Sequence, residues 1–213
     1  VRDLTGLGFA AGVRGQAFGP VTRRGKFLVF PLLPSGLTLA ANPKLTGRFQ
    51  LCAPRAKKAG PIHVTFHFLD PVEELRYVDQ KTMGQVYLTD DLKKVPTFAE
   101  MGPDALAIGP EEFRTRLRTF RGEIKGVLIR APFVAGIGNA YADEILFAAK
   151  LHPYRRRTTL KPEDIERLYA SMHKVFGWAT PIVAQQMRHE LNYEERRDFL
   201  KVLGAGAAGA ATV

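Results

Sequence analysis

Between Lys26 and Leu88, apolar and polar residues alternate over short runs. The segments KFLVFPLL, LTLA, GRFQL, HVTFHFL, ELRYV and GQVYL are strand-sized and punctuated by Pro and Gly. In HVTFHFL, Val64, Phe66 and Phe68 fall on one face and His63, Thr65 and His67 on the other. Such segments at short spacing predict an antiparallel sandwich or barrel. The glycine-rich residues 1–20 are weakly patterned and predict no element. Near Met101 the text changes: MGPDALAIGPEE reads as a proline-punctuated linker. Beyond it Phe113, Leu117, Phe120, Ile124 and Leu128 recur at helical spacing, and Arg114, Arg118, Arg121 and Lys125 line a different face. A second helix is predicted over 139–151, stopped by Pro153. A third is marked by Ile165, Leu168, Met172, Val175 and Phe176, with Pro162 suited to its first turn. A fourth opens at Pro181 and runs to about Leu203. The expectation is an α+β chain: an antiparallel β-sandwich over 1–103, a linker over 104–112, an all-helical domain over 113–203, and a low-complexity tail over 204–213 standing apart from the core.

Charge adds a partner. The 213 residues carry a formal net charge of +10. Residues 113–201 account for +7 of it and the remainder for +3. A basic helical half points to a polyanion, most often nucleic acid. Cys52 is the only cysteine, which excludes an intramolecular disulfide and a four-cysteine zinc site. His63 and His67 with Cys52 lack a fourth ligand, so neither metal nor cofactor is expected. No apolar run is long enough to span a bilayer, and VRDLTGLGF does not read as a signal peptide. The expected setting is intracellular, in the cytoplasm.

The stretch VAGIGNAYADEILFAAKLHP, residues 134–153, carries the most specific chemistry. An apolar run meets a Gly-Ile-Gly turn, and Asn139 stands where an amphipathic helix begins. Gly136 and Gly138 permit close backbone approach, and either can take positive φ at little cost. The helix presents unpaired N–H groups and the positive end of its dipole at that turn, an arrangement suited to a phosphate.

This stretch resembles the helix–two-turn–helix signature of the formamidopyrimidine-DNA glycosylase and endonuclease VIII family. The resemblance extends over roughly 21–200. RRGKFLVFPL, NPKLTGRFQL and ELRYVDQKTMGQVYL are similar to the family's sheet motifs, and FRGEIKGVLIR to its run-in to the signature. It implies excision of oxidised bases from DNA, with the damaged base turned out of the stack, followed by cleavage at the abasic site. It also implies DNA contacts by Lys26, Lys81, Lys125, Gly138 and Asn139. Leu45, Lys81 and Met83 occupy the positions that fill the gap left by the everted base. The implied partner is double-stranded DNA, damaged or carrying an abasic site, bound by a monomer.

The family's nucleophile is the amine of an N-terminal proline beside a glutamate. Val1-Arg2-Asp3 offers neither, so no catalytic residue is assigned and impaired activity is expected of this sequence as it stands. No cysteine or histidine follows Leu200 to build the family's zinc finger. The alternative is a non-catalytic relative that binds damaged DNA. An RNA-associated protein is a further rival, since similar helical modules occur in a ribosomal protein, but the sheet motifs argue against it.

Overall fold

The computed structural model describes residues 1–70, 72–190 and 210–212. The chain divides into two compact units. One is built on Val1–Ala99 and takes in the described residues after Gln186; the other is Glu100–Gln186.

In the first unit each period-two segment is a strand: β4 (Phe27–Leu33), β5 (Thr38–Asn42), β6 (Gly47–Cys52), β7 (Ile62–Phe68), β8 (Glu74–Asp79) and β9 (Gln85–Thr89). β4 reads as an almost unbroken apolar run because it is covered on both sides. Phe30 and Leu32 enter the main core, while Phe27 on the other face meets the Phe98 ring edge-on at 5.4 Å. Leu39, Leu51, Phe66, Leu75, Tyr77, Val86 and Leu88 lie in the same layer, which buries residues from both β4–β5–β9 and β7–β8–β6. In β7, Val64 and Phe66 are buried while His63 and His67 are exposed, as the alternation requires.

The ends depart from expectation. The first twenty residues, unassigned by pattern, form β1 (Arg2–Asp3), α1 (Phe9–Val13) and β2 (Gln16–Phe18). These elements are too short for a period to emerge. The Asp3 carboxylate organises them by accepting from the Thr5 N–H and hydroxyl and from the Gly8 N–H. β1 pairs with β9 in parallel, the one parallel ladder among the described strands. A short β3 (Thr22–Arg24) lies on β4. Within the tail expected to stand apart, Ala210–Thr212 is β10, inserted between β2 and β7. Ladder pairing uses main-chain N–H and C=O groups that any residue but proline supplies, so low complexity did not preclude a strand.

The second unit is helical. Residues 104–112 are not a free linker: Ala105 and Ile108 are buried in its core, Asp104 bridges Ala135, and Pro110 opens α2 (Pro110–Thr119). The apolar face read as one helix is two, α2 and α3 (Ile124–Leu128). Phe120 leaves the helical path with φ −94° and ψ 147°. The Arg157 guanidinium takes the carbonyls of Arg118 and Phe120 that a continuous helix would have used. Phe113, Leu117, Ile124 and Leu128 nonetheless all reach the same core.

Next comes α4 (Asn139–Ala148), shorter than expected. Its end is set by Lys150 at φ 54°, with Leu151 N–H donating to the Leu146 carbonyl and Lys150 N–H to that of Phe147. This is a Schellman cap with lysine where glycine is favoured. Lys150→Gly should therefore raise stability by about 0.5 to 1 kcal/mol, measurable by urea unfolding.

α5 (Pro162–Glu190) begins at the expected proline, and Asp164 accepts from the Lys161 N–H ahead of it. The expected fourth helix does not open at Pro181, which lies inside α5. Proline has no N–H for the preceding turn; the Thr180 hydroxyl bonds the Phe176 carbonyl there, at 2.7 Å. The stretch from 191 to about Leu203 lies outside the described residues.

Candidate nucleic-acid interface

In the helical unit, Gly136 has φ 113°, a conformation that favours glycine. Gly138 does not share it: it is the N-cap of α4, at φ −104°, with no side chain capping the helix. Ala142 N–H makes the first bond back, to the Gly138 carbonyl at 2.8 Å. The N–H groups of Asn139, Ala140 and Tyr141 therefore have no acceptor within the helix. No acidic residue occupies its first turn, and Asn139 and Ala140 are exposed. The positive end of a ten-residue helix is thus presented without a compensating carboxylate.

Lys125, in the first turn of α3, reaches across to α4 and pairs with Asp143 at 2.8 Å. Asn139 and Asp143 are one helical turn apart on the same face. Lys125, Gly138 and Asn139 are therefore brought together, with the lysine held by a partner rather than free in solvent.

The other cations of this unit divide by task. Arg157 caps α2, Arg155 pairs with Asp164 at 2.9 Å, and Arg114 reaches Glu111 and Glu166. The Arg116 guanidinium donates to the carbonyls of Pro132 and Phe133. Part of the basic character read over 113–201 thus supports the fold.

In the sheet unit, Lys26 sits in the tight turn between β3 and β4. Its ammonium pKa is lowered, first by desolvation and then by the Lys44 charge, although the side chain as a whole is exposed. Leu45 tips the turn from β5 to β6 and is 68% exposed. Lys81 and Met83 lie in the turn from β8 to β9; Met83 is 51% exposed. Lys44 and Thr82 take positive φ, 55° and 53°, which shapes the two turns.

Beneath them lies a residue that pattern reading missed. Asp79 is 1% exposed. Its carboxylate accepts from the Thr46 hydroxyl, from the Lys81 N–H at 3.2 Å and from the Gly84 N–H at 2.7 Å. The Asp79 carbonyl bonds His63 Nε2 at 2.9 Å. Burial pushes this carboxyl upward, but the Thr46 hydroxyl, the two backbone donors and His63 outweigh it, so the group stays below its ordinary value. The available cue was alternation: Leu75 and Tyr77 point inward, and Asp79 is next in that series. Tyr77 beside it is buried with its hydroxyl unpartnered, and burial followed by the Asp79 charge pushes its phenol up to about 12.

His67 pairs with Glu74 at 3.2 Å, and Cys52 is buried. Among the described residues no group of three or more His, Cys, Asp or Glu could hold a metal ion. No described helix is long and apolar enough to cross a membrane.

Known proteins share both units. Residues 1–86 match the formamidopyrimidine-DNA glycosylase N-terminal domain, and residues 101–189 match the H2TH domain of the same enzyme. A formamidopyrimidine-DNA glycosylase of Symbiobacterium thermophilum is 38% identical over 171 residues, covering 78% of this chain and 55% of that protein. One of Listeria innocua is 32% identical over 198 residues, covering 89% and 71%. The chain therefore spans about half of the first relative's length and under three quarters of the second's. Among solved structures, the Lactococcus lactis Fpg complexed with DNA containing an abasic site aligns with a TM-score of 0.67 at 29% identity, covering 78% of this chain and 61% of that one. An inhibited Fpg bound to DNA containing N7-benzyl-Fapy-dG aligns with a TM-score of 0.70 at 28% identity, covering 78% and 63%. A sandwich, a helical unit with an uncapped α4, and two domain matches on one chain lead to a single assignment: the chain belongs to the formamidopyrimidine-DNA glycosylase family.

Proposed function

We propose that the protein binds damaged duplex DNA and serves base excision repair as a DNA glycosylase and abasic-site lyase. The observation that carries this reading is the opening of α4. Asn139 and Ala140 at its start are exposed, no side chain caps it, and Lys125 pairs with Asp143 one turn along it. A DNA phosphate supplies what that helix end lacks. Lys26, Lys81, Lys125, Gly138 and Asn139 are the proposed backbone contacts. Leu45 and Met83 are exposed apolar tips suited to enter a gap in the stack, with Lys81 beside them as the cation.

By family resemblance the reaction is attack of an amine on the sugar, departure of the base, and β-elimination through a Schiff base. The protein's residues bind the backbone and fill the vacated space while this occurs. It acts as a monomer inside the cell, in the cytoplasm, on DNA.

Borohydride trapping tests the enzymatic claim. A duplex carrying one abasic site should be bound selectively, and a covalent protein–DNA adduct, located by mass mapping, would show which amine of this sequence attacks the sugar. Selective binding with no adduct would contradict lyase activity of this sequence and leave the damage-binding relative, and binding no tighter than to an intact duplex would contradict both readings.

A further inference from the structure

We propose that Asp79 is a positioning residue that locks the Leu45 turn to the Lys81–Met83 turn, so that both enter DNA as one wedge. The proposal rests on the damaged-DNA reading above and assigns it a support that sequence pattern did not reveal.

Topology makes the need specific. The turn at 43–46 leaves β5 for β6, and the turn at 80–84 leaves β8 for β9. β5 pairs with β9, while β6 pairs with β8. Each turn therefore crosses from one part of the sheet to another, and neither is a hairpin held by its own ladder. At their bases Asn42 pairs with Gln85 and Gly47 with Asp79. Between those bases the carboxylate joins them. One oxygen takes the Thr46 hydroxyl and the Lys81 N–H; the other takes the Gly84 N–H. Lys81 N–H also reaches the Thr46 hydroxyl oxygen, at 2.9 Å. Thr46 adjoins Leu45, and Lys81 and Gly84 bracket Met83. The exposed tips thus stand directly on the clamped residues. A gap in the stack has fixed dimensions, so a wedge of two independent turns would have to order itself on binding and lose affinity.

The test compares Thr46→Val, Thr46→Ser, Asp79→Asn and Leu45→Gly. Valine keeps branching and volume but deletes the hydroxyl; serine restores it. Asparagine can still accept at one oxygen but cannot accept at both. Each variant is titrated against an intact duplex and one with a tetrahydrofuran abasic analogue opposite 2-aminopurine, whose fluorescence reports entry into the gap. Thr46→Val and Asp79→Asn should each cut the preference for the lesion duplex about tenfold and blunt the fluorescence change, with intact-duplex affinity altered far less. Thr46→Ser should recover most of the preference. A purely structural role would lower both affinities together and leave the ratio unchanged. If Thr46→Val and Asp79→Asn keep the ratio and the fluorescence change while Leu45→Gly loses them, the positioning role is overturned and the gap-filling reading survives. If Leu45→Gly also keeps them, the gap-filling reading itself fails, and the proposal with it.

Discussion

Gly84→Ala should destabilise the sheet unit by about 3 kcal/mol, the upper range for overpacking a filled site. A Cβ on Gly84 would overlap the Tyr77 hydroxyl, lie 2.9 Å from Cζ of that ring, and stand 3.0 Å from an Asp79 carboxylate oxygen. Tyr77 has no room to retreat. It is buried, its ring lies 5.1 Å from that of Phe49, and its hydroxyl also occupies the space where a Cβ on Gly47 would go. The Asp79 carboxylate cannot yield without losing its bond from the Gly84 N–H.

The same geometry predicts a rescue. The Tyr77 hydroxyl has no hydrogen-bond partner, so Tyr77→Phe removes a desolvated polar group while keeping the ring in place. It should be neutral or stabilising by up to about 1 kcal/mol. Combined with Gly84→Ala it should recover part of the loss, because the contacts with Cζ of the ring and with the Asp79 carboxylate remain. Urea unfolding of the single and double variants measures both; Gly84→Ala at parental stability would show that the turn is not packed as described.

Asn139→Asp should have opposite effects on stability and on DNA affinity. In the free protein an acid at the start of α4 meets an uncapped positive helix end, worth about 0.3 to 1 kcal/mol of added stability. The same carboxylate would repel a phosphate drawn to that end. Affinity for duplex DNA should fall tenfold or more, about 1.5 to 3 kcal/mol, because a charge-assisted hydrogen bond to phosphate gives way to repulsion between two anions. Thermal unfolding and fluorescence anisotropy report the two halves separately. Misfolding would lower both, so a rise in one with a fall in the other is specific to an anion site.

Much of the fold was legible because strands and helices impose periods on burial. Val64 and Phe66 against His63 and His67 announced β7, and Phe113, Leu117, Ile124 and Leu128 announced a helical core. A period does not reveal a break between helices that keep the same face inward, which is why α2 and α3 read as one. Nor does it weigh a proline against the packing around it, as at Pro181 in α5. Net charge does not separate cations free for a partner from those that hold the fold: Arg155 pairs with Asp164, and Arg157 takes carbonyls at the end of α2.

At the candidate interface, the glycine turn before α4 was visible as composition, and its orphan N–H groups follow from helix geometry. The pairing of Lys125 with Asp143 was not visible, because it joins two helices 18 positions apart in sequence. Asp79 was hidden for a different reason. Aspartate beside a turn ordinarily means solvent, and only the inward register of Leu75 and Tyr77 contradicted that.

The most direct test of the account is competition between an abasic-analogue duplex and its intact counterpart, measured over a series of salt concentrations with the parent protein and Lys125→Ala. The account predicts preference for the lesion duplex and a logarithmic affinity that falls linearly with the logarithm of salt. It predicts a slope shallower by about one for the variant, which neutralises one phosphate fewer. Equal affinity for the two duplexes, or binding indifferent to salt, would contradict it.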